Sequence, residues 1–400
     1  MQDLLRRAVL VPLIAMLAVQ TMTSMADLSV PVLAPAAAPD IGVAPTFIGV
    51  WMAILYGAAM ASGLATGVFV ARFGAFRICQ IALVTAATGL IAFASSYPFL
   101  AFASAVLLGG AYGTVNPATA PVVARCTPVR WRPLAFSIKQ SGVTAGGMLA
   151  GFAAPLLAGL WGWVGAAVCL AAVFASAAVL LLPARRFIDN EPPAATTGAK
   201  RPISIIAPLK LIIADRPLAA LTVAAFLFSG IQVCLFSFFA VYMAHGLGMS
   251  LVAAGAAYAA LQAGGIGGRL LWGVVADRFL SSHRLLMLLG VMTATGMVLV
   301  GAGWAQPLII LVSIALGASA FGWNGVYLSE VARLAPPDRV GEATGGAQFF
   351  FFGGAVSVPP VFGGIIELSG GYPAAFYAAA AMSLCASVAV ALSRPRRAAY

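Results

Sequence analysis

Of the 22 lysines and arginines in the chain, all but two stand in polar gaps between apolar stretches. The exceptions are Arg269 and Lys139. Isolating a charge in lipid costs roughly 2.5–3.5 kcal/mol on insertion scales, so such a residue has a cavity or a partner and is functional by default. Arg269 stands eight residues before Asp277, about 12 Å along a helix rising 1.5 Å per residue. That is too deep for easy snorkelling, and a fixed guanidinium there would hold a carboxylate or similar anion through two parallel bonds. The competing role is a bond to helix carbonyls or to an acid, which would serve packing. Lys139, in Phe136-Ser137-Ile138-Lys139-Gln140, is only a turn and a half into its stretch. Snorkelling to the surface and facing a cavity are both open to it. Two positive charges across one cavity would select an anion and resist closure until it arrives.

Acids and amides complete the chemical inventory. Asp27 lies about two turns beyond Gln20 in the first apolar stretch. It is a candidate proton carrier if buried and a polar residue of the outer mouth if not. Glu330 precedes Arg333 by three residues, the spacing of a structural ion pair on one helix face. Asn116 and Asn324 occupy equivalent depths, as do Gln140 and Gln348, and such repeated amides line a cavity or bond helix to helix. Trp323 and Phe349–Phe352 suit an apolar cavity wall, a core or a lipid face. His245 and His283 lack metal-ligand spacing, and no metal site is expected.

The elements that hold these residues follow from composition. The chain has 400 residues, 62% hydrophobic and 8% charged, with a mean hydropathy of +1.02. Too few polar side chains remain to cover a water-facing surface, which excludes secreted and cytosolic enzymes and disordered chains. Apolar stretches occur near 8–34, 46–71, 76–96, 99–124, 134–160, 163–183, 217–243, 250–276, 285–304, 307–332, 341–366 and 373–393. A helix crosses the hydrocarbon core with about 20 apolar residues, and continuous runs exclude alternating barrel strands. The predicted fold class is therefore all-α, with twelve transmembrane helices. The first run follows Arg6 and Arg7 and is longer than the core of a signal peptide, so it reads as the first span.

The gap residues set the orientation. Arg6, Arg7, Arg72, Arg77, Arg125, Arg130, Arg132, Arg185, Arg186, Lys200, Arg201, Lys210, Arg216, Arg278, Arg284, Arg333, Arg339, Arg394, Arg396 and Arg397 all fall on one side of a twelve-span chain. The positive-inside rule makes that side and both termini cytoplasmic, in a cell inner (plasma) membrane. The net charge of +11 is thus an orientation signal, and no nucleic-acid partner is expected. The five cysteines lie far apart and read as small core residues without disulfides. The polar stretch 185–216 reads as a cytoplasmic linker between bundles 1–184 and 217–400 of six helices each. A shift of about 208 residues takes Val123-Ala124-Arg125 to Val331-Ala332-Arg333, Asn116 to Asn324 and Gln140 to Gln348. A shift of about 206 takes Gly67 to Gly273 and Arg72 to Arg278. Two parallel repeats related by an axis along the membrane normal are a transporter plan.

Between spans 8 and 9 stands Gly273-Val-Val-Ala-Asp277-Arg278-Phe279. Between spans 2 and 3 stands Gly67-Val-Phe-Val-Ala71-Arg72-Phe73-Gly74. This resembles the loop signature of the major facilitator superfamily (MFS), Gly-x-x-x-Asp-Arg-x-Gly, at the position expected in each half. The resemblance implies secondary transport by rocker-switch alternating access, with Gly273, Asp277, Arg278, Gly67, Arg72 and Gly74 as a cytoplasmic gate motif. Ala71 replaces the acid in the first copy and Leu280 the last glycine in the second, so the latch centres on Asp277 and Arg278. The oxalate and monocarboxylate carriers of the superfamily resemble this chain in placing a substrate-binding arginine on helix 8. Spans 5 and 11, rich in Gly and Pro, are the ones that line the moving interface in the superfamily.

The expected function is transport of a small solute, an organic anion by preference, with Arg269, Lys139, Asn116, Asn324 and Gln348 in the binding set and Asp27 as the proton-coupling candidate. The alternative is a drug or metabolite exporter with a mainly apolar cavity and a structural Arg269. There is no phosphate loop, no dinucleotide fingerprint and no paired histidine, so an enzyme, an ATP-driven pump and a cofactor are not expected. A receptor or scaffold would carry a large extramembrane domain, and a channel would show flux that does not saturate. The carrier is expected to act as a monomer.

Overall fold

A computed structural model describes residues 2–128, 132–185, 206–303, 306–336 and 339–393. Arg130, Arg186, Lys200, Arg201, Arg394, Arg396, Arg397 and most of the expected linker lie outside the described residues, as do the side chains of Arg6, Arg7, Arg132 and Asp277. Twelve α-helices, three short 3-10 or π segments and no strand occur among the described residues. The α-helices are α1 (Gln2–Ile41), α2 (Ile48–Phe73), α3 (Ala75–Ala94), α4 (Pro98–Cys126), α5 (Arg132–Leu180) and α6 (Ile206–Ala214). There follow α7 (Arg216–Val241), α8 (Leu251–Arg278), α9 (Ser282–Gly301), α10 (Gln306–Leu334), α11 (Val340–Ser369) and α12 (Tyr372–Leu392).

Eleven of these are long and apolar enough to cross a membrane, and one counts twice. The apolar part of α5, Ile138–Leu180, has 43 residues, about 65 Å of helix against a hydrocarbon core of about 30 Å. It breaks at Trp161 (φ −131°, ψ 16°) and Gly162 (φ 69°, ψ 172°), neither of them helical. The left-handed φ at Gly162 needs a residue without a Cβ. The two arms, 132–160 and 163–180, supply the fifth and sixth of twelve crossings.

Two differences from the sequence expectation have local causes. The first span reaches Ile41 because α1 runs on through Pro31, Pro35 and Pro39, which are spaced four apart. Each proline removes one N–H and frees one carbonyl a turn earlier. The carbonyl freed by Pro39 is that of Pro35, and His245 Nε2 lies 3.2 Å from it. The helix stops at Gly42, whose φ is +78°. In the expected linker, Ile206–Ala214 is the helix α6, with Ile212 buried. Its apolar face lies against α11 at Gly346, where a Cβ would meet the Pro208 carbonyl oxygen at 2.6 Å.

The chain packs as two compact units, Met1–Ala199 with Ala240–Ala259, and Lys200–Phe239 with Ala260–Tyr400. In the first unit α4 closes on α2 through glycines. A Cβ on Gly109 would run into the Leu55 carbonyl oxygen and one on Gly113 into that of Ala59. Trp51 Nε1 fastens the same seam by donating to the Ala101 carbonyl at 2.8 Å. The second arm of α5 is held by Gln80 Nε2, which donates to the Ala178 carbonyl at 2.7 Å, and by Trp163 Nε1, which donates to Asp40 Oδ2 at 2.6 Å.

In the second unit α10 closes on α8 in the same manner. A Cβ on Gly317 would run into the Leu261 carbonyl oxygen, and one on Gly264 into that of Ile314. Trp272 Nε1 donates to the Ala318 carbonyl at 2.8 Å. Leu55 and Gly109 map onto Leu261 and Gly317 by the repeat shifts of 206 and 208, so one backbone contact occurs in both repeats. Ser383 and Ser387 tie α12 to α9 by donating to the Gly290 and Met287 carbonyls at 2.8 and 3.0 Å.

Candidate functional site

In the first unit, Lys139 of α5 has 2% of its surface exposed and does not reach solvent. Its Nζ donates to Asn116 Oδ1 of α4 at 2.6 Å, and no carboxylate lies within ion-pair distance among the described residues. Cys79 of α3 is its other electrostatic neighbour. The amide is neutral, so it satisfies a donor and leaves the lysine's charge uncompensated. Lys139, Gly142 and Gly146 share one face of α5, at spacings of three and seven. That face meets α1, because a Cβ on Gly142 would come within 3.1 Å of the Gln20 side chain and one on Gly146 within 2.9 Å of Ser24. Glycine is needed at Gly146, where a Cβ would run into the Thr21 carbonyl oxygen, whereas at Gly142 the Gln20 side chain would have to give by a few tenths of an ångström.

Asp27 is also 2% exposed, on α1, and its Oδ1 has no hydrogen-bond partner. Tyr56 of α2 is an electrostatic neighbour of Asp27, and Tyr112 and Tyr258 are neighbours of Tyr56 in the same sense. The Tyr56 and Tyr112 rings meet edge to face, with centroids 5.9 Å apart. Asp27 is thus buried, and no cation lies within ion-pair distance of it among the described residues.

In the second unit, Arg269 of α8 is half-buried, and its Nε donates to the Phe321 carbonyl of α10 at 3.2 Å. Part of the guanidinium is therefore used in binding helix to helix. Asn324 and Gln348 are half-buried on α10 and α11. Trp323 is buried and donates through Nε1 to Gln232 Oε1 at 3.2 Å, with Phe228 and Phe351 against its ring. Phe349 is exposed.

Glu330 is buried and accepts two bonds from Arg333, Nε to Oε2 at 2.9 Å and Nη2 to Oε1 at 2.6 Å. His283, to which the sequence assigned no role, lies with Nδ1 3.9 Å from Glu330 Oε1 and 3.4 Å from Ser393 Oγ. The three elements meet only in the fold, and no sequence spacing announces the contact.

The gate-motif residues occupy helix ends. Gly74 caps α2 and starts α3 with φ +82°, a conformation that requires glycine. The second copy joins α8 to α9 by a longer link, with Ser281 as N-cap accepting from the Arg284 amide at 3.4 Å. That link has no left-handed residue, which explains why Leu280 is tolerated there. Arg72 and Arg278 are exposed in last turns, and a Cβ on Gly67 or Gly273 would meet nothing within 4 Å.

A model of the Major Facilitator Superfamily matches residues 13–359. The chain belongs to this superfamily. It is 27% identical over 336 residues to human monocarboxylate transporter 11, covering 79% of this chain and 68% of that protein. Among solved structures it is similar to the nucleoside transporter NupG, with a TM-score of 0.76 at 14% identity, over 96% of this chain and 100% of that one. It is also similar to a bacterial homologue of the human lysosomal transporter Spinster, with a TM-score of 0.75 at 15% identity and 95% coverage of both chains. At these identities the structural likeness is one of fold. This MFS chain is a multi-pass membrane protein that moves a small solute, a transporter and not an enzyme.

Proposed function

We propose that this MFS protein carries small organic anions by alternating access of two six-helix bundles, 1–184 and 217–400, joined by the linker 185–216. The observation that carries the reading is the buried lysine Lys139, which a neutral amide holds and no acid among the described residues offsets. A group of that kind is stabilised by an anionic ligand and is costly without one. Arg269 supplies the second cation, with its Nε anchored on Phe321 so that the plane of the fork is oriented. Asn116 orients Lys139, and Asn324 and Gln348 contribute neutral polar contacts. The similarity to a protein named for monocarboxylates supports the same class.

Asp27 is the proton-coupling group. Ionised it is an unpaired buried charge and protonated it is neutral, so its charge changes with one proton and little rearrangement. Asp277 and Arg278, with Gly273, Gly67, Arg72 and Gly74, form the cytoplasmic gate. Both termini face the cytoplasm across the inner membrane, a reading that the distribution of Lys and Arg supports. The carrier acts as a monomer.

The anchoring of Arg269 on a main-chain carbonyl also favours a second reading, an exporter of apolar compounds in which this arginine only packs. Uptake of labelled pyruvate into proteoliposomes, beside its uncharged methyl ester, separates the two. The anion reading expects saturable pyruvate uptake that is lost in Arg269→Ala and reduced in Arg269→Lys. Equal uptake in all three proteins leaves the exporter reading standing.

A further inference from the structure

Helix α6 has nine residues, Ile206–Ala214, too few to persist in water without support. Ile212 supplies the support, buried in one core with Leu218 of α7 and Ala343 and Ala347 of α11. Gly346, which Pro208 and Ile212 both meet, is the fourth residue of the apolar span Ala343–Ser369. Arg216, two residues beyond α6, opens the span Arg216–Gly246. These contacts set α6 at the level where membrane spans begin. The helix changes character around its axis. At about 100° per residue, Leu209, Ile213 and Lys210 follow Ile212 in one sense, at about 60°, 100° and 160°. Along that arc Leu209 is half-buried, Ile213 is 67% exposed and Lys210 is exposed. A bare isoleucine therefore stands between a packed leucine and a cation. Arg216 is exposed as well, and neither cation is in an ion pair among the described residues. The neighbouring acid, Asp215, is committed elsewhere, since its Oδ1 accepts from the Leu218 amide at 2.9 Å in the first turn of α7.

We propose that this side of α6, together with Arg216, docks on anionic lipid of the membrane that the chain spans. Ile213 enters the boundary between headgroups and acyl chains, and Lys210 and Arg216 meet the lipid phosphates. An apolar strip beside a basic one is the pattern by which helices bind a membrane interface, and a basic residue near an anionic leaflet gains from its surface potential. The exposed side chains fit this partner in both respects. Water alone would leave Ile213 bare, and a leaflet of zwitterionic lipid would leave the two cations without a net counter-charge. Because Pro208 and Ile212 seat α6 on the first turns of α11, lipid that grips its outer side holds the helix down on that span. The composition of the leaflet thereby acts on the segment that links the two halves of the chain.

The test uses the full chain in two measurements. In the first, a spin label at Ile213→Cys, in a chain lacking the native cysteines, is read in nanodiscs of phosphatidylcholine with and without phosphatidylglycerol. Docking expects the label to be relaxed more by oxygen, which concentrates in the bilayer, than by a water-soluble nickel chelate, and more deeply so when phosphatidylglycerol is present. A label open to the chelate in both discs overturns the docking. A label shielded from both relaxants is covered by protein, another segment of this chain or a second copy, and overturns it too. In the second, native mass spectrometry counts the lipids retained from an equal mixture of the two. Phosphatidylglycerol is expected to be enriched on the parent chain and on Lys210→Arg, and its enrichment to fall about fivefold or more in Lys210→Gln combined with Arg216→Gln. Equal enrichment on the parent and the double variant overturns the assignment of the two cations.

Discussion

Lys139 and Glu330 are both buried and ionisable, yet they make opposite demands on the fold. Glu330 is held by both arms of Arg333, so Arg333→Ala strands a buried acid and is expected to cost on the order of 1–3 kcal/mol. A lowered thermal midpoint measures that loss. Among the described residues Lys139 has only a neutral amide as partner, and replacing an unpaired buried charge with an apolar chain of similar volume is neutral or stabilising. Lys139→Met is therefore expected to hold or raise the thermal midpoint while abolishing anion uptake. A drop in stability comparable to that of Arg333→Ala would show Lys139 to be a packing residue. Lys139 and Arg269 were legible in the sequence because depth alone marks a charge in an apolar run. The burial of Gln20 and Ser24 was not, since their spacing is shared by any helix face and only the approach of α5 makes it a seam. The contact between His283 and Glu330 was hidden for a similar reason, as it joins residues 47 positions apart on two helices.

Glycine has two uses in these helices, and they separate cleanly under substitution. At Gly109 and Gly317 the neighbouring backbone occupies the space of a Cβ, so Gly109→Ala and Gly317→Ala force helices apart. Overpacking of this kind costs about 1–3 kcal/mol, and both variants are expected to express poorly or melt early. At Gly67 and Gly273 a methyl group meets nothing, so alanine there is expected to leave the melting temperature unchanged. If uptake nevertheless falls in Gly67→Ala or Gly273→Ala, the glycines of the gate motif serve a conformation in which that space is filled. The helix ends were read to within a few residues wherever Gly or a charge closes the apolar run. The exceptions arise where composition and geometry part company. Prolines do not stop α1, because a side chain from elsewhere takes up a freed carbonyl, and α6 is too short and too close to charges to stand out.

At the scale of the molecule, twelve spans were legible because lipid as a solvent dictates both composition and helix length. Orientation rests on charge alone, and cysteine labelling from outside intact cells measures it. Single cysteines in a chain lacking the native ones are expected to label at Ser96 and Gly248, and to stay unlabelled at Ser281 until the membrane is permeabilised. Labelling of all three from outside would overturn the assigned sidedness. What the sequence could not supply is the solute, because a cavity's shape depends on side chains from many helices whose distances no linear spacing encodes.

The turn at Trp161–Gly162 joins two crossings with almost no chain to spare. During synthesis this pair has no hydrophilic stretch at which the insertion machinery could pause between them. The two arms must therefore enter the bilayer together, already folded back on one another, and a bulkier residue at 162 would first be felt in biogenesis, before any solute is moved.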